Sequence, residues 1–147
     1  MPKNSSRLRV RYSETDQMGV VYHGNFLHYF EVGRTELIRR LGLPYSELEA
    51  RGWRLVVVEA SLRLRAPARY DDELLVETRV GTVSRVRVEF DYQVRRVGED
   101  PILAEGRTVL ASVGENGRPR RLPEEFHDAL VAARDGDPDT DTEVAGE

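Results

Sequence analysis

The chain begins on an alternation of two. Leu8, Val10 and Tyr12 are apolar or aromatic, and Arg7, Arg9 and Arg11 lie between them. That period sends one set of side chains inward and the other into water, so a half-buried strand is predicted with Tyr12 inside beside Leu8 and Val10. From Asn25 the period changes. Phe26, Phe30, Gly33, Leu37 and Leu41 recur at helical spacing, with Leu27 and Ile38 widening the stripe, which predicts a long amphipathic helix over residues 25–41. Gly42 stops it, and Pro44 follows where a helix cannot continue.

A short helix is expected near Tyr45–Arg51, followed by four alternating runs. Val56, Val58, Ala60, Leu62, Leu64 and Ala66 share one side of the first, which Pro67 ends. Leu74, Val76, Thr78 and Val80 mark the second, and Val86, Val88, Phe90, Tyr92 and Val94 the third. Ile102 to Val113 forms the fourth, between the turn signals Gly98-Glu99-Asp100-Pro101 and Asn116-Gly117. Pro123 to Ala133 reads as a terminal helix with two acids in its first turn. The order β-α-β-β-β-β-α predicts an α+β fold, a curved antiparallel sheet of about five strands around one long helix.

Composition narrows the class. The length of 147 residues suits one domain, taken as residues 1–133. The tail from Arg134 to Glu147 holds six acids and one base, a net −5, and has no apolar period, so it reads as flexible. Without it the whole-chain charge of −4 becomes +1, a near-neutral body that argues against a dedicated nucleic-acid binder. All 22 basic residues except Lys3 are arginine, a residue well suited to phosphate. The absence of cysteine removes disulfides, thiolate metal sites and a cysteine nucleophile. No run approaches the ~18 apolar residues of a membrane span and Met1–Val10 has no leader-like apolar region, so a cytoplasmic protein without membrane insertion is expected.

Candidate chemistry gathers just ahead of the long helix. The stretch Tyr12-Ser13-Glu14-Thr15-Asp16-Gln17-Met18-Gly19-Val20-Val21-Tyr22-His23-Gly24-Asn25 delivers a carboxylate and an imidazole to a helix start, where unpartnered N–H groups and the helix dipole favour negative charge. An acid beside a resting place for an oxyanion points to acyl transfer. Asp16 reads equally as a turn former, His23 as a turn-fixing hydrogen-bonder, and Asn25 as an N-cap. Gly-x-Ser-x-Gly, P-loop and Rossmann patterns are absent, and His23, His28 and His127 have no ligand spacing, so no metal is expected.

These residues also carry a resemblance. Tyr12-x-x-x-Asp16-x-x-Gly19-Val20-Val21-Tyr22-His23-x-Asn25, then Tyr29, Glu31, Arg34-Thr35-Glu36 and Gly42-Leu43-Pro44, is similar to the 4-hydroxybenzoyl-CoA thioesterase family of the hotdog fold, and within it to the YbgC-like acyl-CoA thioesterases. Ala66-Pro67-Ala68-Arg69-Tyr70-Asp71-Asp72-Glu73-Leu74 and Arg120-Arg121-Leu122-Pro123 follow in order, so the resemblance spans residues 7–130.

It implies hydrolysis of a small or medium acyl-CoA, with Asp16 as nucleophile or general base, His23 as oxyanion donor through its N–H, and Tyr12 as a hydrogen-bonding partner. Tyr22 and Asn25 are taken as substrate contacts, and Arg85, Arg120 and Arg121, near the family's nucleotide-contacting segments, read either as coenzyme A contacts or as surface arginines. Glu59, which interrupts the run Leu55–Val58, reads either as a solvated or ion-paired acid or as a second carboxylate facing a neighbouring subunit's site. Coenzyme A is then part of the substrate and no separate cofactor is needed. A homodimer or homotetramer is implied, with sheets paired edge to edge. Two other functions fit the same pattern: an acyl carrier protein thioesterase, and a non-catalytic acyl-ligand binding module.

Overall fold

The computed structural model describes residues 4–136, and the backbone of 143–145. It contains β1 (Asn4–Arg9), α1 (Asn25–Arg40), α2 (Tyr45–Ala50), β2 (Trp53–Leu64), β3 (Glu73–Val83), β4 (Arg87–Arg96), β5 (Ile102–Gly114), α3 (Glu124–Asp135) and β6 (Glu143–Ala145). The α+β class and the antiparallel sheet are as expected. Strand order is β2-β5-β4-β3-β1-β6, antiparallel throughout except that β6 lies parallel to β1. The tail expected to be flexible falls mostly outside the described residues.

The alternation that marks β3 and β4 places one face of the sheet against helices. Leu74, Val76, Thr78 and Val80 on β3, with Val88, Phe90, Tyr92 and Val94 on β4, are buried. Helix α1 crosses β1, β3 and β4, and α3 packs on β3. Helix and sheet approach so closely at two glycines that neither could carry a side chain. A Cβ at Gly33 would lie 2.3 Å from Thr78 Oγ1, and one at Gly106 would lie 2.3 Å from the Ser61 carbonyl oxygen and 2.5 Å from the Phe30 ring. Phe30 fills the room so left and stacks on Tyr92, with centroids 4.3 Å apart and planes 6° from parallel. Tyr92 in turn shares a 2.6 Å hydroxyl hydrogen bond with Thr108 on β5. Burial, the larger effect, holds the Tyr92 phenol above its ordinary pKa.

Two expectations about side-chain direction are corrected. Tyr12 does not point into the core: β1 ends at Arg9, the chain turns through a short 3-10 segment at Tyr12–Glu14, and the Tyr12 ring is 77% exposed. Glu14 causes the turn, because its carboxylate reaches back to accept the Arg11 N–H at 2.9 Å. On β2 the alternation breaks at a bulge between Val57 and Glu59, and Val56, Val57 and Val58 are all exposed. Among the described residues β2 pairs only with β5, so its other edge is open. None of the described helices is long and apolar enough to cross a membrane.

Candidate active site

Residues 14–22 form a small hairpin in front of α1. Tyr22 N–H donates to the Glu14 carbonyl at 2.9 Å, Thr15 and Val21 form a bridge, and Asp16 N–H donates to Val20 O at 2.9 Å. Gly19 closes the tip with φ +80°, a left-handed geometry that glycine adopts without strain, and its N–H donates to Asp16 O. Val21 N–H donates to Ala68 O at 2.8 Å, tying the hairpin to the loop after β2.

Asp16 sits at the turn with its two carboxylate oxygens in different states. Oδ1 accepts the Met18 N–H at 2.8 Å and, more weakly, the Val20 N–H at 3.4 Å. Among the described residues Oδ2 has no hydrogen-bond donor. The side chain is thereby oriented by backbone while one oxygen stays available for chemistry.

The backbone donors at the helix start divide into bonded and free groups. Asn25, Phe26 and Leu27 donate their N–H groups to Tyr22, His23 and Gly24 carbonyls. Among the described residues the N–H groups of His23 and Gly24 meet no acceptor, so two adjacent free donors stand just before α1. The His23 imidazole is exposed and lies beside the half-exposed Tyr22 ring, centroids 4.4 Å apart.

Asn25 does not cap the helix. It is the first residue of α1, and its Nδ2 donates to the Glu14 carbonyl at 2.8 Å. Tyr12 packs edge-on against Tyr70 at 5.6 Å, and its phenol makes no hydrogen bond among the described residues. The structure therefore brings Asp16, Tyr22, His23 and Asn25 onto one hairpin and helix start, with Tyr12 on the surface at its approach.

The remaining candidates separate into three places. Arg85 and Arg121 line one cavity of about 290 Å³ together with Leu122, Glu124, His127 and Asp128, and Leu122 N–H donates to Arg85 O at 2.8 Å. Arg120 is not among these lining residues; it lies over Trp53 and donates to Gly52 O. Glu59 follows the β2 bulge and shares a cavity of about 200 Å³ with Thr82, Arg87 and Arg107.

Glu14 is the residue that sequence reasoning passed over. It is buried, and its Oε1 accepts both the Arg11 N–H and the Tyr29 hydroxyl, each at 2.9 Å. Burial chiefly, and then this acidic partner, push the Tyr29 phenol well above its ordinary pKa. The available signal was spacing, since Tyr29 is one helical turn beyond Asn25 and both reach the same residue.

Comparison with known proteins agrees with this architecture. A family profile for the thioesterase-like superfamily matches residues 10–130. The putative acyl-CoA thioesterase YneP of Bacillus subtilis is 37% identical over 94 residues, covering 64% of this chain and 68% of that protein. The acyl-CoA thioesterase YbgC of Haemophilus influenzae is 32% identical over 127 residues, covering 82% and 91%. Among solved structures, a DHNA-CoA thioesterase from Staphylococcus aureus superposes with a TM-score of 0.85 at 32% identity, covering 89% of this chain and 90% of that one. The sheet wrapped on α1 is thus a hotdog fold, and the chain belongs to the thioesterase-like superfamily.

Proposed function

We propose that this protein hydrolyses the thioester of a small or medium acyl-CoA, giving the free acid and coenzyme A. The observation that carries this reading is the divided state of Asp16, with Oδ1 held by backbone N–H groups and Oδ2 free, on a hairpin that ends in the two free donors of His23 and Gly24. The names of its relatives YneP and YbgC support the same substrate class.

In the proposed reaction the thioester carbonyl oxygen rests on the His23 and Gly24 N–H groups, which stabilise the negative charge that develops there. Asp16 then acts by one of two routes. Its Oδ2 attacks the carbonyl carbon, the C–S bond breaks, the thiolate takes a proton from solvent, and water cleaves the resulting anhydride. Alternatively Oδ2 takes a proton from a water whose oxygen adds to the carbonyl, and returns that proton to the departing sulfur. Arg85 and Arg121 offer cations for the coenzyme A phosphates. No separate cofactor enters either route, and the proposed setting is the cytoplasm.

On this reading the functional unit is a homodimer or a dimer of dimers, joined along the open edge of β2. That edge is long and carries three exposed valines at its bulge, the kind of surface that pairing covers. Val57→Lys should shift the sedimentation coefficient to that of a monomer; an unchanged oligomer would place the contact elsewhere.

The direct test of function is free-thiol release across aromatic and aliphatic acyl-CoAs, with acyl carrier protein thioesters in parallel. Turnover of acyl-CoA above the carrier-protein substrates is expected. Preference for the carrier protein would reassign the donor, and hydrolysis of neither would leave an acyl-ligand binding module.

A further inference from the structure

Two side chains one turn apart on α1 grip a single residue of the hairpin. Asn25 Nδ2 holds the Glu14 carbonyl at 2.8 Å, and the Tyr29 hydroxyl holds the Glu14 carboxylate at 2.9 Å. The same carbonyl accepts the Tyr22 N–H, immediately before His23, while Asp16 lies two residues beyond Glu14 on the other side. Both halves of the candidate site are therefore fastened to one point. Glu14 is the only acidic residue in the hairpin that is buried, and Arg11 closes its outer side with an N–H at 2.9 Å and Nε at 3.3 Å.

A buried carboxylate is costly unless its partners are complete, and here they come from Arg11, just ahead of the hairpin, and from Tyr29 on α1. We propose that Glu14 is a positioning residue: anchored to α1 through Tyr29, it sets the distance between the Asp16 carboxylate and the free His23 and Gly24 N–H groups. The proposal rests on the thioester-hydrolase reading for its effect on turnover. Its effect on geometry does not. Glu14 need not touch substrate, because a misplacement of about 1 Å between reacting groups can cost on the order of 10²-fold in rate.

Three variants separate positioning from general support. Glu14→Ala removes the anchor. Tyr29→Phe removes only the phenol donor. Glu14→Gln keeps an Oε1 that can accept both the Tyr29 hydroxyl and the Arg11 N–H, while the exposed Arg11 side chain is free to swing away. For acyl-CoA hydrolysis, kcat should fall about 10- to 100-fold in Glu14→Ala, with KM within about threefold, and Glu14→Gln should restore most of the rate. Tyr29→Phe should fall between them.

Amide hydrogen exchange on the same proteins reads the geometry without turnover. In Glu14→Ala, exchange at Tyr22 should accelerate at least about tenfold, while amides of β3, β4 and β5 keep their protection. Acceleration spread evenly over the sheet, unchanged exchange at Tyr22, or a kcat loss in Glu14→Ala that Glu14→Gln does not restore would each overturn the proposal. If the unmutated protein hydrolyses no thioester, the proposed function fails, and the exchange pattern still decides whether Glu14 positions the hairpin.

Discussion

Arg120 lies over Trp53 with its guanidinium carbon 3.8 Å from the ring centroid, and donates Nη1 to the Gly52 carbonyl at 3.1 Å. Trp53 answers with its indole N–H, given to the Arg121 carbonyl at 2.7 Å. Together these contacts strap the segment after β5 onto the start of β2. A cation–π contact of this kind contributes roughly 0.5–1 kcal/mol at an exposed site, so Arg120→Ala should lower the melting temperature by a few degrees. KM for acyl-CoA, measured alongside, separates roles: a rise equal to that in Arg121→Ala would place Arg120 with the coenzyme A contacts instead.

Arg85 and Arg121 face one cavity, so screening should weaken whatever anion they hold. KM should rise with ionic strength while kcat changes little, since uniform binding is lost. Arg85→Ala and Arg121→Ala should each raise KM at low salt and flatten that salt dependence. A KM indifferent to salt would remove the phosphate role from both.

Asp16→Asn keeps the shape that receives the Met18 N–H and removes the charge that both proposed routes require. Turnover should drop by at least about 10²-fold with the oligomeric state unchanged. Near-normal hydrolysis by the folded variant would end the catalytic assignment. Single turnover in heavy-oxygen water distinguishes the routes, because attack by Asp16 can place its own oxygen in the first product whereas a base delivers oxygen from solvent.

Tyr29 and Tyr92 both have phenol pKa values raised above the ordinary tyrosine value, each chiefly by burial. The unfolded chain therefore releases these protons first. Their contribution to stability is complete below about pH 10 and is lost as pH rises through the folded values, with a slope of up to about 1.4 kcal/mol per pH unit for each group. Tyr29→Phe should lower stability at neutral pH and make the alkaline decline shallower. Parallel decline in both proteins, followed by denaturant titration from pH 9 to 12, would contradict the linkage.

The elements were largely legible because their periods were clean. Val88, Phe90, Tyr92 and Val94 alternate without interruption and are all buried, and the helix beginning at Asn25 ends within one residue of the expected place. What failed was direction where a local contact overrode the period. Leu8 and Val10 continue into Tyr12 by pattern, but the reach of Glu14 to Arg11 turns the chain first. Val56 and Val58 alternate correctly for a covered strand; alternation says that a strand is paired, not that it lies at an edge or contains a bulge. Asp16, Tyr22, His23 and Asn25 were found together because they are close in sequence. Glu14 needed Tyr29, fifteen residues away, before it meant anything.

The socket at Gly106 reaches beyond this one chain's packing. Two obstacles meet any side chain there, and only one of them can yield: the Phe30 ring could be trimmed by substitution, but the Ser61 carbonyl is main chain and stays whatever residue occupies position 61. Trimming Phe30 would also leave a cavity beside Tyr92 at a cost of about 3–5 kcal/mol, so position 106 has no second choice, and no compensating change elsewhere in the side chains would supply one.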